Sequence, residues 1–102
     1  FRMPDAMRPS AILETNRDAV REAVSRYRLT NPRVFGSVLH GTDKEGSDID
    51  ILVDKLPGAT LFDLGGLFEE LQAILGPNID LLTPGDLPKK FRDKVIAEAK
   101  PI

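Results

Sequence analysis

The sequence predicts an α+β domain, a small mixed β-sheet with helices packed mainly on one face. Three observations predict it. Apolar residues recur at three- and four-residue spacings over residues 12–27 and again over 61–75, the period of an amphipathic helix. Three short segments, 33–35, 47–53 and 78–83, read as strands instead, the last two alternating aspartates with isoleucine or leucine. Proline, glycine and asparagine punctuate the joins at Thr30-Asn31-Pro32, Pro57-Gly58, Gly76-Pro77 and Thr83-Pro84-Gly85.

The 102 residues suffice for one domain with one modest core, and at 41% hydrophobic and 29% charged the composition is that of an ordinary globular chain. A net charge of −2 gives no signature of nucleic-acid binding, so direct contact with nucleic acid is not expected outside a local basic patch. With no cysteine, disulfides and thiolate metal sites are excluded, and a single histidine excludes a His-rich zinc site. No apolar run reaches the ~18–20 residues of a membrane span. No signal peptide is visible, so the expected location is cytoplasmic, with no membrane partner. Residues 1–9 are polar, contain two prolines and read as a loose leader, with Phe1-Arg2 expected to be a foreign remnant ahead of an initiating Met3.

In chain order, Ser10 is the expected cap of the first helix, with Glu14 near a capping-box position, and Ile12, Leu13, Ala19, Val20, Ala23, Val24 and Tyr27 form its apolar face. Arg17, Arg21 and Arg26 line the opposite face, which reads first as solvated and second as a contact for RNA or a partner. Thr30-Asn31-Pro32 breaks the helix and Arg33-Val34-Phe35 opens a strand that ends at Gly36. Ser37 to His40 should be a short helix stopped by Gly41. Thr42 to Gly46 reads as a polar loop whose acids, Asp43 among them, face solvent. Ser47 to Val53 is the second strand, and Asp54 is expected to be a surface acid. In the helix over 61–75, Gly65-Gly66 costs roughly 2 kcal/mol relative to alanines, which predicts a kink or a late start. Thr60 or Asp63 should cap it. After the third strand, a last helix begins near Asp86 to Pro88, with Phe91, Val95, Ile96 and Ala99 as its apolar face and Lys89, Lys90, Arg92 and Lys94 as a basic cluster.

Chemistry concentrates in residues 34–53. Residues two apart in a strand share a face, so Asp48 and Asp50 point one way while Ile49 and Ile51 point into a core. Paired carboxylates repel unless a cation lies between them, and such oxygen ligands suit Mg²⁺. The plainer alternative is two solvated acids. Gly36 permits close approach of backbone to a ligand, and Ser37 is a good helix cap beside it. Together they offer an anion cradle or an ordinary turn. Asp80 lies between Ile79 and Leu81 and faces away from them. Beside the Asp48/Asp50 strand it would complete a carboxylate trio, and alone it would be a strand-edge acid.

Gly36-Ser37, Gly41 and Ser47-Asp48-Ile49-Asp50-Ile51-Leu52-Val53 together resemble the signature of the DNA polymerase β-like nucleotidyltransferase superfamily. Over residues 10–102 the short chain is similar to the minimal nucleotidyltransferases, small partners of HEPN-domain toxins. The resemblance extends to Asn78-Ile79-Asp80-Leu81-Leu82 and the closing helix. It implies a polymerase β-like core and transfer of AMP from ATP to a hydroxyl, plausibly a tyrosine, on a cognate HEPN toxin, which makes the chain an antitoxin. It further implies that Gly36, Ser37 and Ser47 bind the nucleoside triphosphate and that Asp48, Asp50 and Asp80 bind two Mg²⁺ ions and carry catalysis. His40 departs from the arginine common at that family position, and its role is open between the triphosphate and the surface. Two alternatives stand beside this reading: a binding module that silences a HEPN partner by occlusion alone, and a stand-alone nucleotidyltransferase acting on RNA or a small molecule.

Overall fold

A computed structural model describes residues 8–102. Two helices, α1 (Pro9–Thr15) and α2 (Arg17–Ser25), lead into β1 (Leu29–Phe35), the short α3 (Gly36–His40) and β2 (Ile49–Lys55). Then come α4 (Leu61–Leu75), β3 (Ile79–Leu82), a single 3-10 turn (Pro84–Asp86), α5 (Lys89–Glu98) and β4 (Lys100–Pro101). The strands form one mixed sheet in the order β3-β2-β1-β4. β1 runs antiparallel to β2 and to β4, and β2 runs parallel to β3. The expected fold class is the observed one.

Alternation along the strands decides the layers. Ile49, Ile51 and Val53 point to one face, where they join Leu13, Val20, Val24, Leu67, Leu71 and Leu75 in the main core. Helices α1, α2 and α4 supply those residues and cover that face. A parallel β2–β3 pair needs a crossover, and α4 provides it. Connections of this kind are right-handed. From β3 the chain returns across the sheet to β4, in the opposite lateral direction, so the same handedness puts α5 on the other face. Leu52 and Leu87 form a small apolar floor there, at 0% and 4% exposure and outside the main core.

Several local expectations give way to tertiary contacts. The first helix is two helices, because Asn16 leaves helical geometry (φ −115°, ψ 17°) and its side-chain amide donates to the carbonyl of Ile12 at 2.8 Å. Ser10 lies inside α1 and is not its cap, and Glu14 accepts from Arg17 rather than closing a capping box. β1 begins at Leu29, so Thr30-Asn31-Pro32 lies within the strand. Its ladder slips between Thr30 and Arg33, where Asn31 takes a positive φ of 55°. α4 runs straight through Gly65-Gly66. A side chain at Gly66 would strike the Tyr27 ring, so this glycine lets α4 close onto the segment that follows α2. Thr60 and Asp63 do cap α4: the Phe62 N–H donates to Thr60 Oγ1 at 3.2 Å, and the Thr60 N–H donates to Asp63 Oδ2 at 2.9 Å. Of the expected leader, residues 1–7 lie outside the described residues, while Arg8 and Pro9 belong to the fold. β4 has no counterpart among the expected strands. Among the described residues no helix is long and apolar enough to cross a membrane.

Two acids expected at the surface are structural. Asp54 accepts from Arg33 at 2.6 Å and from Asn31 at 2.9 Å, which ties β1 to β2 and satisfies a buried guanidinium. Asp43 is 3% exposed and accepts from the Ser10 N–H at 2.9 Å and from Arg8 at 3.2 Å, pinning the loop before β2 to the start of α1. Burial alone would raise the Asp43 pKa. The bonds from Ser10 and the charge of Arg8 outweigh it and hold this carboxyl below its ordinary value of 3.8. Because the folded value lies below the unfolded one, the stabilisation is complete above about pH 4. It is lost as the pH falls through the folded value. Asp43→Ala should therefore lower the unfolding free energy by about 1–3 kcal/mol at pH 7, measured by urea denaturation, and the difference from wild type should shrink in acid.

Candidate active site

The acids gather at the N-terminal end of the β2–β3 pair. Asp50 and Asp80 are direct Cα partners across the parallel ladder, on the face away from the main core. Partners on adjacent strands lie about 4.8 Å apart, so the two carboxylates share one small volume. Asp80 is exposed and Asp50 is half-buried. Asp48 lies one residue before β2, which starts at Ile49 rather than at Ser47 as expected. It is exposed, and its charge still reaches Asp50.

Asp50 shows the cost of this grouping. Its pKa is raised from 3.8 to about 6, first by burial, then by the charge of Asp80, then by that of Asp48. Phe35 is its partner on β1 and shares the same face. The next residue, Gly36, has φ 71°, and a Cβ placed there would overlap Asp50 Oδ2. Gly36 is thus required twice, by its left-handed backbone and by the carboxylate packed against it.

α3 follows directly and stops at Gly41, which adopts the left-handed conformation (φ 70°) expected of it. The helix includes Gly36, so the cap position falls on Phe35 and not on Ser37. Ser37 is half-buried, and its hydroxyl makes no hydrogen bond among the described residues. Its carbonyl accepts from the Thr42 N–H at 3.0 Å. Ser47 closes the loop ahead of β2: its Oγ accepts from the Lys44 N–H at 2.9 Å and its own N–H donates to the Lys44 carbonyl at 2.9 Å. His40 is exposed, with Nε2 3.5 Å from Glu98 Oε2 on α5, a link between two elements that the sequence does not reveal.

Could these residues hold a divalent cation? Among the described residues, no three acidic or histidine side chains are gathered tightly enough to enclose one as they stand. The donor chemistry nevertheless fits: carboxylate oxygens on adjacent strands, one of them with its charge disfavoured by its neighbours. Mg²⁺ in particular takes one or two protein carboxylates and completes its shell with water and phosphate oxygens. Besides the acids, Gly36 and Ser37 are brought to the same end of the sheet, whereas Ser47 is engaged in its own loop.

Residues 16–102 match the family model of the nucleotidyltransferase domain. The chain is 35% identical over 88 residues to protein adenylyltransferase MntA of Thermococcus cleftensis, covering 86% of each chain. It is 41% identical over 74 residues to MJ0435 of Methanocaldococcus jannaschii, provisionally named a protein adenylyltransferase, covering 72% of this chain and 80% of that one. A solved structure described provisionally as a minimal nucleotidyltransferase superposes with a TM-score of 0.81 at 35% identity, over 91% of this chain and 95% of the other. A toxin–antitoxin crystal structure with AMP-PNP has a TM-score of 0.69 at 23% identity, covering 84% of this chain and 71% of that one, a likeness of fold alone. With the acids of β2 and β3 set beside the Gly36-Ser37 turn, and with these relatives, the chain belongs to the nucleotidyltransferase domain family and is a nucleotidyltransferase.

Proposed function

We propose that the protein transfers AMP from ATP to a hydroxyl group of a partner protein, and that the partner is a HEPN-domain toxin which the modification silences. The observation that carries this reading is the registered pair Asp50 and Asp80, with Gly36 backed against Asp50. The names of the relatives, protein adenylyltransferases, support the choice of AMP and of a protein acceptor. The toxin–antitoxin structure with AMP-PNP, similar in fold, accords with a nucleotide donor and a toxin partner.

In this reading Gly36 and Ser37 seat the triphosphate: the glycine lets the backbone come close, and the Ser37 hydroxyl donates to a phosphate oxygen. Asp48, Asp50 and Asp80 would hold Mg²⁺, one ion or two, which supplies neutralisation of the phosphate charge during an in-line displacement. Asp80, the exposed member of the pair, accepts the proton of the attacking hydroxyl at a carboxylate oxygen. The acceptor oxygen forms a bond to the α-phosphorus, the bond from that phosphorus to the β-phosphate bridging oxygen breaks, and pyrophosphate leaves. Ser47 serves the site by holding the loop that delivers Asp48.

The decisive test incubates the protein with α-labelled ATP, Mg²⁺ and the product of its neighbouring gene. Label should move to that product. Asp48→Asn, Asp50→Asn and Asp80→Asn should each lower the rate by more than the roughly 10–100-fold that loss of a supporting residue costs at a metal site. Binding and silencing of the partner with no transfer of any of the four nucleotides would replace this reading with simple occlusion. Labelled RNA in place of labelled protein would replace the acceptor.

Two variants probe the groundwork. Gly36→Ala should destabilise the fold and abolish transfer together, since the new methyl displaces Asp50; circular dichroism melting and the transfer assay read the two losses. Asp50 also gives stability a pH dependence. Its folded pKa lies above its unfolded one, so the folded state binds the extra proton. Stability then falls as the pH rises from about 4 to about 6 and stays lower above that. Asp50→Asn should remove that loss, raising stability by about 1–2 kcal/mol at pH 8 without added metal, after allowance for solvent screening. Urea denaturation at pH 4 and pH 8 checks the difference.

A further inference from the structure

Helix α5 follows β3, the edge strand that carries Asp80, across the short Pro84–Asp86 turn, and its sides differ. Arg92, Val95, Ile96 and Ala99 are half-buried, whereas Lys90, Lys94 and Ala97 are exposed. Phe91 and Glu98, seven residues apart, share one flank. Glu98 meets His40 at the end of α3, so the C-terminal end of α5 lies beside the short helix that opens at Gly36. Phe91 is 52% exposed, with Lys90 Nζ 5.7 Å from its ring centroid. It lies about 10 Å down the helix axis from Glu98. β3 is an edge strand, so its outer side carries no further strand of the sheet.

We infer that Phe91, with Lys90 and Lys94, is the docking surface for the protein acceptor, and that the segment it takes is acidic and carries an apolar side chain near the hydroxyl to be modified. The inference rests on the protein-acceptor reading above. Charge complementarity selects the occupant. Lys89, Lys90 and Lys94 concentrate exposed positive charge on a chain whose net charge is −2, with Asp93 the one acid among them, while Arg92 is half-buried and donates to the Gly85 and Leu87 carbonyls. The triphosphate does not account for these cations, because its seat at Gly36-Ser37 lies at the other end of α5, beside Glu98. An exposed aromatic with one lysine over its ring and another a turn further along the helix offers an incoming chain one apolar anchor and a cationic rim. The other exposed apolar pair, Leu61 and Phe62, lies beyond the far end of β2, and nothing at its rim selects an occupant.

The test uses two fluorescent random copolymers, poly(Glu,Tyr) and poly(Lys,Tyr), and reads binding by anisotropy separately from transfer of α-labelled AMP. The wild-type protein should bind poly(Glu,Tyr) and not poly(Lys,Tyr). Phe91→Ala should weaken that binding about tenfold, and Lys90→Glu with Lys94→Glu should weaken it at least as much, while affinity for ATP stays at the wild-type value. Phe91→Leu should recover part of the loss. Equal binding of the two copolymers, no binding of either, or variants that bind as wild type overturn the inference. Lost ATP affinity with intact copolymer binding also overturns it, since Phe91 would then serve the nucleotide. Copolymer binding that depends on Phe91 but leads to no labelled tyrosine sustains the docking surface and sinks the transfer reading. Labelling that ignores all three side chains does the reverse.

Discussion

Parallel pairing of β2 with β3 is the constraint on which the rest of this molecule depends. It sets Asp50 directly beside Asp80, a placement that like charges oppose. What holds it is the opposite face of the same strands. Ile49, Ile51 and Val53, with Ile79, enter the core with helices α1, α2 and α4. A slip of one residue would turn the aspartates into that core and the isoleucines out of it. Apolar burial therefore fixes the register, and the register assembles the acids. The crossover α4 is what makes the pairing parallel, so its capped start and its close contact with Tyr27 through Gly66 bear on the site although neither is near it.

Gly36 adds a second constraint. The turn from β1 into α3 passes so close to Asp50 that no side chain fits. One residue thus joins the strand that flanks the carboxylates to the helix that begins the proposed phosphate seat. Phe35, its neighbour, shares a face with Asp50 and keeps that carboxylate on the drier side of the cleft.

The sequence was most legible where a local period coincided with a tertiary role. The alternation in Ile49-Asp50-Ile51 and Ile79-Asp80-Leu81 identified strands and faces at once, and Gly41 and Thr60 acted as the helix stop and cap that their chemistry predicts. It was least legible where a residue's partner is remote. Asp43 is an ordinary loop acid until Ser10 and Arg8, more than thirty residues earlier, are folded onto it. Asp54 is a strand-end acid until Arg33 crosses from β1. Asn16 breaks a helix through a side-chain bond to its own preceding turn, and Asn31 bends a strand through a left-handed backbone. Both compete locally with regular structure in a way that spacing of apolar residues does not register. β4 is two residues long and is defined by pairing alone.

The three acids are of one residue type, yet the fold gives them different surroundings, and in the proposed reaction that difference sorts their tasks. Asp50 is half-buried between Phe35, Gly36 and the Leu52 floor, with its charged form disfavoured. A group in that position gains most when a cation arrives, because the cation relieves both burial and repulsion. Asp80 sits on the edge strand and is exposed, so an acceptor entering from the open side meets it before Asp50. Proton acceptance from the attacking hydroxyl therefore falls to Asp80. Setting Asp50 inside the sheet against Phe35 and Gly36 while Asp80 lies on the edge strand achieves this division, and a further strand paired outside β3 would have removed it.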